Sequence, residues 1–115
     1  MRICIAGSRQ LKKLELIDDW LQRNFDPVED TLILGGAEGA DKRAEEYAKR
    51  TSLSYKIYEA EWDVFGKSAV PIRNLEMVQE SDKTVCFWDG KSRGTKSTIE
   101  FALRHRKHLE VIFDE

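Results

Sequence analysis

The chain has 115 residues, with 19 Lys and Arg against 21 Asp and Glu and a formal net charge of −2. This length predicts a single domain over residues 1–115 with one core, and the balanced charge excludes the strongly basic surface of a dedicated duplex-DNA binder. Two cysteines without metal-ligand spacing argue against a zinc site or a disulfide framework, and no metal is expected. The apolar runs are too short to cross a bilayer and the first residues too short for a signal peptide, so we expect a cytoplasmic protein without membrane contact.

Five short runs of apolar and β-branched residues recur along the chain and predict strands. Four of them are almost continuously apolar, which is typical of strands covered on both faces in a parallel sheet. The predicted strands are residues 2–6, 31–34, 54–58, 83–88 and 109–113.

Stretches with helical spacing separate these strands. Leu14, Ile17 and Leu21 are spaced three and four residues apart, and later stretches show the same apolar spacing. Pro71 marks the start of a shorter helix. The alternation predicts an α/β fold: a three-layer Rossmann-like sandwich around a five-stranded parallel sheet, in the order 3-2-1-4-5.

Glycines concentrate in the loops that follow the predicted strands. Six of the seven lie after strands one, two and four, and Gly66 lies in the long segment 61–74 after strand three. Ligands of open α/β sheets bind at this carboxyl edge, where glycines and helix N-termini accommodate phosphates. The loops 35–41 and 92–95 are therefore predicted phosphate cradles, and Arg9, Arg73 and Arg93 are the predicted phosphate-binding side chains. Neither loop has a GxGxxG or GxxxxGK[ST] pattern, which argues against a common NAD dehydrogenase or a P-loop NTPase.

Four ordered motifs carry a family resemblance: GSR at 7–9, GGAEGAD at 35–41, EWDVFGKSAVPIRN at 61–74 and FWDGKSRGT at 87–95. They resemble the YspA-like family of the SLOG superfamily, which is related to DprA/Smf and LOG proteins. The resemblance implies a Rossmann-like domain with a nucleotide-binding cleft. By position, it implies the following ligand-facing residues: Gly7, Ser8, Arg9, Gly35, Gly36, Gly39, Asp41, Arg73, Asn74, Ser92, Gly94 and Thr95.

The sequence departs from the related patterns at two places. Val70 stands where the family pattern has a glycine before proline, so a side chain occupies that position. The 35–41 loop also has one residue more between its glycines than the phosphoribohydrolase loop and Asp41 where that loop has Thr. The catalytic glutamate of that branch therefore has no secure counterpart here.

Several residues have two interpretations each. Asp41 would contact a ribose hydroxyl or act as a base, or it would simply favour the first turn of a helix. Glu38 is a candidate general acid or base, although a carboxylate beside a phosphate would repel it. Trp62 would stack on a base, or it would be an aromatic anchor at an oligomer interface or in the core. Cys4 and Cys86 are interpreted as inert buried thiols.

The function that we expect is binding of a nucleotide or an NAD- or ADP-ribose-like ligand, with no required cofactor. The alternative is an N-glycoside hydrolase or phosphoribohydrolase that uses Glu38, Asp41 and Asp89. A single-stranded nucleic-acid binder is a third reading that the modest basic content disfavours. A homodimer or higher homo-oligomer is expected, because the short chain leaves little room beyond the cleft.

Overall fold

A computed structural model describes residues 1–114 and contains a five-stranded parallel sheet in the order β3-β2-β1-β4-β5. The strands are β1 (Arg2–Gly7), β2 (Thr31–Leu34), β3 (Tyr55–Ile57), β4 (Lys83–Trp88) and β5 (His108–Phe113). The helices are α1 (Glu15–Asn24), α2 (Ala40–Thr51), α3 (Trp62–Phe65), α4 (Ala69–Glu80) and α5 (Arg93–Arg104). The predicted α/β Rossmann-like class and the predicted strand order are confirmed.

The two faces of the sheet bury different side chains. Ile3 and Ile5 of β1 point to the main core beneath α1 and α2, whereas the intervening Cys4 packs with Ile33 and Met77 on the side of α4. Successive residues of a strand point to opposite faces, so a nearly continuous apolar strand supplies both cores.

The segment after β3 differs from the sequence prediction. The sequence predicts a loop followed by a helix that starts at Pro71, but the segment consists of α3, a 3₁₀ turn at Gly66–Ser68 and α4 from Ala69. Pro71 still lies in the first turn of α4, where a missing N–H removes no intrahelical hydrogen bond. Strand β3 is shorter than predicted because its register with β2 extends only from Tyr55 to Ile57.

The parallel strands place all of their carboxyl ends along one edge of the sheet, and the helices α2 and α5 begin there. Among residues 1–114, no helix combines the length and the apolar character that crossing a membrane requires.

Candidate functional site

A cavity of about 550 Å³ opens at the carboxyl ends of the two central strands, β1 and β4. Its floor includes Cys4, Met77 and Thr98, and the loops after β1 and β4 form two of its sides. This is where the strand order reverses between β1 and β4, the place where open α/β sheets bind ligands.

Nine of the predicted ligand-facing residues lie in the cavity lining, although they come from four separate parts of the chain. They are Gly7, Ser8, Arg9, Asp41, Arg73, Asn74, Ser92, Gly94 and Thr95.

The start of α5 forms the wall beside β4. Ser92 caps the helix, because its Oγ accepts a hydrogen bond of 3.3 Å from the N–H of Thr95. Asp89 organises the preceding loop by accepting 2.8 Å hydrogen bonds from the N–H groups of Ser92 and Lys91, which lower the pKa of its carboxyl below the ordinary value. Among residues 1–114, the N–H groups of Arg93 and Gly94 have no hydrogen-bond partner. This helix terminus therefore offers free donors and the positive end of a dipole.

Ser8 joins the two central strands at the cavity. Its N–H donates to the carbonyl of Phe87 at 3.0 Å, and its Oγ accepts from the N–H of Asp89 at 3.2 Å. The buried hydroxyl thus holds the loop after β1 against the loop after β4.

Arg73 is a buried structural clamp as well as a lining residue. Its Nη1 donates to the carbonyl of Gly35 and, at 3.3 Å, to that of Tyr58, while its Nε donates to Oδ1 of Asn74 at 2.9 Å. Burial lowers the pKa of the guanidinium, and the nearby Asp41 opposes this change. Some of the guanidinium N–H groups that were predicted to bind phosphate therefore connect α4 to the ends of β2 and β3.

Asp41 is a buried carboxylate in the first turn of α2 that faces the cavity. Its Oδ2 accepts from the N–H of Ala37 at 3.3 Å, whereas its buried Oδ1 has no hydrogen-bond partner in the described part of the chain. Desolvation raises the pKa of this carboxyl from 3.8 to about 6. A buried acceptor of this kind can take a hydrogen bond from a ligand hydroxyl.

The other predicted site residues lie outside the cavity lining. Glu38, whose side chain is 75% exposed, points to solvent 3.9 Å from the Nζ of Lys42. Trp62 is 58% exposed on α3. Arg93 is also exposed. The remaining residues of this group are Gly35, Gly36 and Gly39.

Two of these glycines serve packing. A Cβ at Gly39 would come within 2.6 Å of the carbonyl oxygen of Ser8, and the residue has a φ of +82°. A Cβ at Gly35 would lie 3.0 Å from both the Cζ of Arg73 and the Oδ2 of Asp41. The loop after β2 is therefore packed closely against its neighbours and presents Ala37 and Asp41 to the cavity.

The structure adds lining residues that the sequence reasoning did not select. Lys91 lies at the mouth beside the start of α5, and Cys4, which the sequence predicts to be an inert buried thiol, lies on the floor. Burial raises the pKa of the Cys4 thiol well above its ordinary value, so the floor is neutral. The alternation of β1 could have identified this position, since Cys4 and Ala6 share one face. Val70, in place of the family's glycine, also lines the cavity.

Within residues 1–114, no group of three His, Cys, Asp or Glu side chains is arranged to hold a metal ion. The charged groups at the cavity are instead the cations Arg9, Arg73 and Lys91 and the carboxylates Asp41 and Asp89. This arrangement is suited to a ligand that carries both phosphate oxygens and hydroxyl groups.

Comparison with known proteins relates this architecture to one family. The chain is 32% identical over 109 residues to the Gene 61 protein of Mycobacterium phage D29, covering 88% of this chain and 87% of that protein. The crystal structure of DNA processing protein A (DprA) from Streptococcus pneumoniae matches its fold with a TM-score of 0.81 at 17% identity, over 96% of this chain and 49% of that chain. The chain thus spans about half of the DprA chain. A sequence profile of the YspA, cpYpsA-related SLOG family matches residues 1–65. The protein described here belongs to this SLOG family, as its loop motifs predict.

Proposed function

We propose that the protein binds a nucleotide or a nucleotide-derived ligand, of the NAD or ADP-ribose kind, in the cavity at the carboxyl edge of the sheet. The observation that carries the proposal is the convergence of free N–H donors at the start of α5, the cations Arg9 and Lys91, and the unpartnered Oδ1 of Asp41 on one cavity. Its volume of about 550 Å³ lies within the range of roughly 300–1,000 Å³ that is common for small-molecule sites.

The two ends of the cavity suit different parts of such a ligand. The start of α5, together with Lys91 and Arg9, attracts phosphate oxygens. Asp41 at the start of α2 is an acceptor for a ribose hydroxyl, because its second oxygen is buried and unsatisfied. The ligand would thus extend from the β4 side of the cavity to the β2 side.

Isothermal titration calorimetry with AMP, ADP, ADP-ribose and NAD tests this function. We expect saturable binding of at least one of these ligands, weakened about tenfold or more by the double substitution Arg9→Ala and Lys91→Ala, because two phosphate contacts are lost. Both side chains are exposed, so the fold should not change. Lys96→Ala, an exposed position on α5 outside the cavity lining, is the control and should bind as the unchanged protein does. No heat with any ligand, or full affinity of the double variant, would refute the proposal.

A second candidate function, hydrolysis of an N-glycosidic bond, is favoured by the two carboxylates of the cavity. The pKa of Asp41 is raised to about 6 by burial, while that of Asp89 is lowered by backbone hydrogen bonds. When two carboxyl groups have different pKa values, the one with the higher pKa can donate a proton while the other is ionised. In such a reaction on a nucleoside monophosphate, the bond between the sugar carbon and the base breaks and Asp41 protonates the leaving base. Water adds to the sugar carbon and gives its proton to the ionised Asp89.

Hydrolysis is tested by incubating the protein with nucleoside monophosphates or NAD and measuring the released free base by chromatography. We expect Asp41→Asn to abolish release from nucleoside monophosphates and Glu38→Gln to leave it unchanged, because Glu38 lies outside the cavity lining. If ligands bind but no base is released, the hydrolase candidate is rejected and the binding function is retained.

A further inference from the structure

An acidic and apolar surface lies beside the third strand. The segment 59–65 contains three acids and no base, and Glu76 of α4 lies next to it across a groove of about 250 Å³. Large apolar side chains protrude among these acids, with Val64 70% exposed. We define the acidic patch by the residues Glu59, Glu61, Asp63 and Glu76 together with Trp62, Val64, Phe65 and Ile72.

A basic and apolar surface lies between α5 and β5. The segment 103–107 contains no acid, and Leu103 protrudes from it with 63% of its surface exposed. Among residues 1–114, neither the cations of this segment nor the acids of the acidic patch form an ion pair. We define the basic patch by Leu103, Arg104, His105, Arg106 and Lys107.

The two patches cannot meet within one molecule. The acidic patch follows β3 and the basic patch precedes β5, and these are the opposite edge strands of the sheet. Four strand spacings of about 4.8 Å separate the edges by about 19 Å. Their opposite charges therefore remain available to another molecule.

We propose that a second copy of this chain docks its basic patch on the acidic patch, with Leu103 of the second copy directed to the groove lined by Phe65, Ala69 and Ile72. Arginines beside Leu103 then face the acids at the rim of the groove, so charge complementarity selects the orientation. Apolar side chains on both patches supply the surface that is removed from water.

The same charges decide which surfaces meet. Two acidic patches repel each other, as do two basic patches, so each contact joins the acidic patch of one molecule to the basic patch of another. If the two patches engage different neighbours, the contact continues into a ring or an open filament; if they engage one neighbour reciprocally about a two-fold axis, the assembly stops at the dimer.

Sedimentation velocity and native mass spectrometry of two variants test the proposal. Variant one carries Glu61→Lys and Glu76→Lys, which leaves only the basic patch intact; variant two carries Arg104→Ser and Arg106→Ser, which leaves only the acidic patch intact. We expect the unchanged protein to self-associate as its concentration rises and to dissociate in high salt. Each variant alone should associate at least tenfold more weakly.

The mixture of the two variants gives the decisive result. Each variant retains the patch that the other lacks, so we expect a 1:1 heterodimer that grows no further, because the remaining patches are not complementary. Asp19→Lys with Arg23→Ser, at exposed positions on α1, is the control and should assemble like the unchanged protein. A monomeric unchanged protein at all concentrations, or a mixture of folded variants that stays monomeric, overturns the proposal. Ligand binding is measured separately and is unaffected by that outcome.

Discussion

The loop after β2 and the loop after β4 are both rich in glycine and both precede a helix, yet they differ in structure. In the loop after β2, the space where a Cβ would lie at Gly35 or Gly39 is filled by neighbouring atoms. After β4, a Cβ at Gly90 of the loop or at Gly94, the second residue of α5, would meet no atom within 4 Å. The first loop is a packed junction between α2 and the rest of the site, whereas the second is open to the cavity.

The difference shows that a glycine-rich sequence does not by itself indicate phosphate contact. In the packed loop, the glycines allow Asp41 and Arg73 to approach the backbone. In the open loop, Ser92 and Asp89 order the backbone through side-chain hydrogen bonds and leave N–H groups free. The first loop therefore contributes an acceptor to the site, and the second contributes donors.

The largest expected effect is that of Gly39→Ala in the packed loop. A Cβ there would lie 2.6 Å from the oxygen of Ser8, at a φ of +82° that side chains rarely adopt. We expect a loss of at least about 3 kcal/mol in the free energy of unfolding, measured with urea. Gly94→Ala, the matched change at the start of α5 that follows the open loop, should change the free energy of unfolding by less than about 1 kcal/mol, in the stabilising direction. Equal destabilisation by both changes would contradict the comparison.

The next effect concerns the acceptor of the packed loop, Asp41. Because its pKa in the folded protein, about 6, exceeds the ordinary 3.8, the folded state binds the proton more tightly than the unfolded chain does. The free energy of unfolding therefore falls as the pH rises through this range, by at most about 3 kcal/mol. We expect Asp41→Asn to be more stable than the unchanged protein above pH 6 while its ligand affinity falls. A variant that is less stable at pH 8 in urea unfolding would count against this account.

Ligand affinity should also depend on the ionisation of Asp41. NAD is a suitable probe because its pyrophosphate does not titrate near pH 6. Protonation of the carboxylate removes the acceptor, so we expect affinity to fall by up to about tenfold per pH unit below about 6. Calorimetry across this range measures the slope. Asp41→Asn should give a flat profile, and an unchanged slope in that variant would assign the titration to another group.

The smallest effect is expected for Ser92→Ala in the open loop. The substitution removes the side-chain cap of α5, which accepts from the N–H of Thr95. A lost N-cap costs about 1 kcal/mol, measurable as a shift of the urea midpoint. Ser97→Ala, an exposed position within the same helix, is the control and should be neutral or slightly stabilising. The same loss at both positions would show that capping is not the cause.

The sequence was sufficient to predict the α/β class and the edge where the glycine-rich loops gather, because strand and helix periodicities are local and parallel strands end on one edge. The predicted order 3-2-1-4-5 is confirmed, but it rested on the common topology of such sheets and not on local periodicity. It was less informative about the segment after β3, where α3 and the early start of α4 replace the expected loop. Short helices of this kind have weak periodicity, and packing decides whether they form.

Glu38 and Asp41 show what the sequence by itself could not decide. Both are acids of one loop motif, but Asp41 lies in the first turn of α2 and is buried against the cavity, whereas Glu38 remains in solvent. Arg73 is similar. Its guanidinium group predicts phosphate binding, but its position on α4 lets Nη1 donate to the carbonyls of Gly35 and Tyr58. The family, the alternation of strands and helices and the edge where the motif loops meet follow from local patterns of the sequence. Which polar groups are buried, satisfied or left open follows only from the folded structure, because it depends on contacts between residues far apart in the chain.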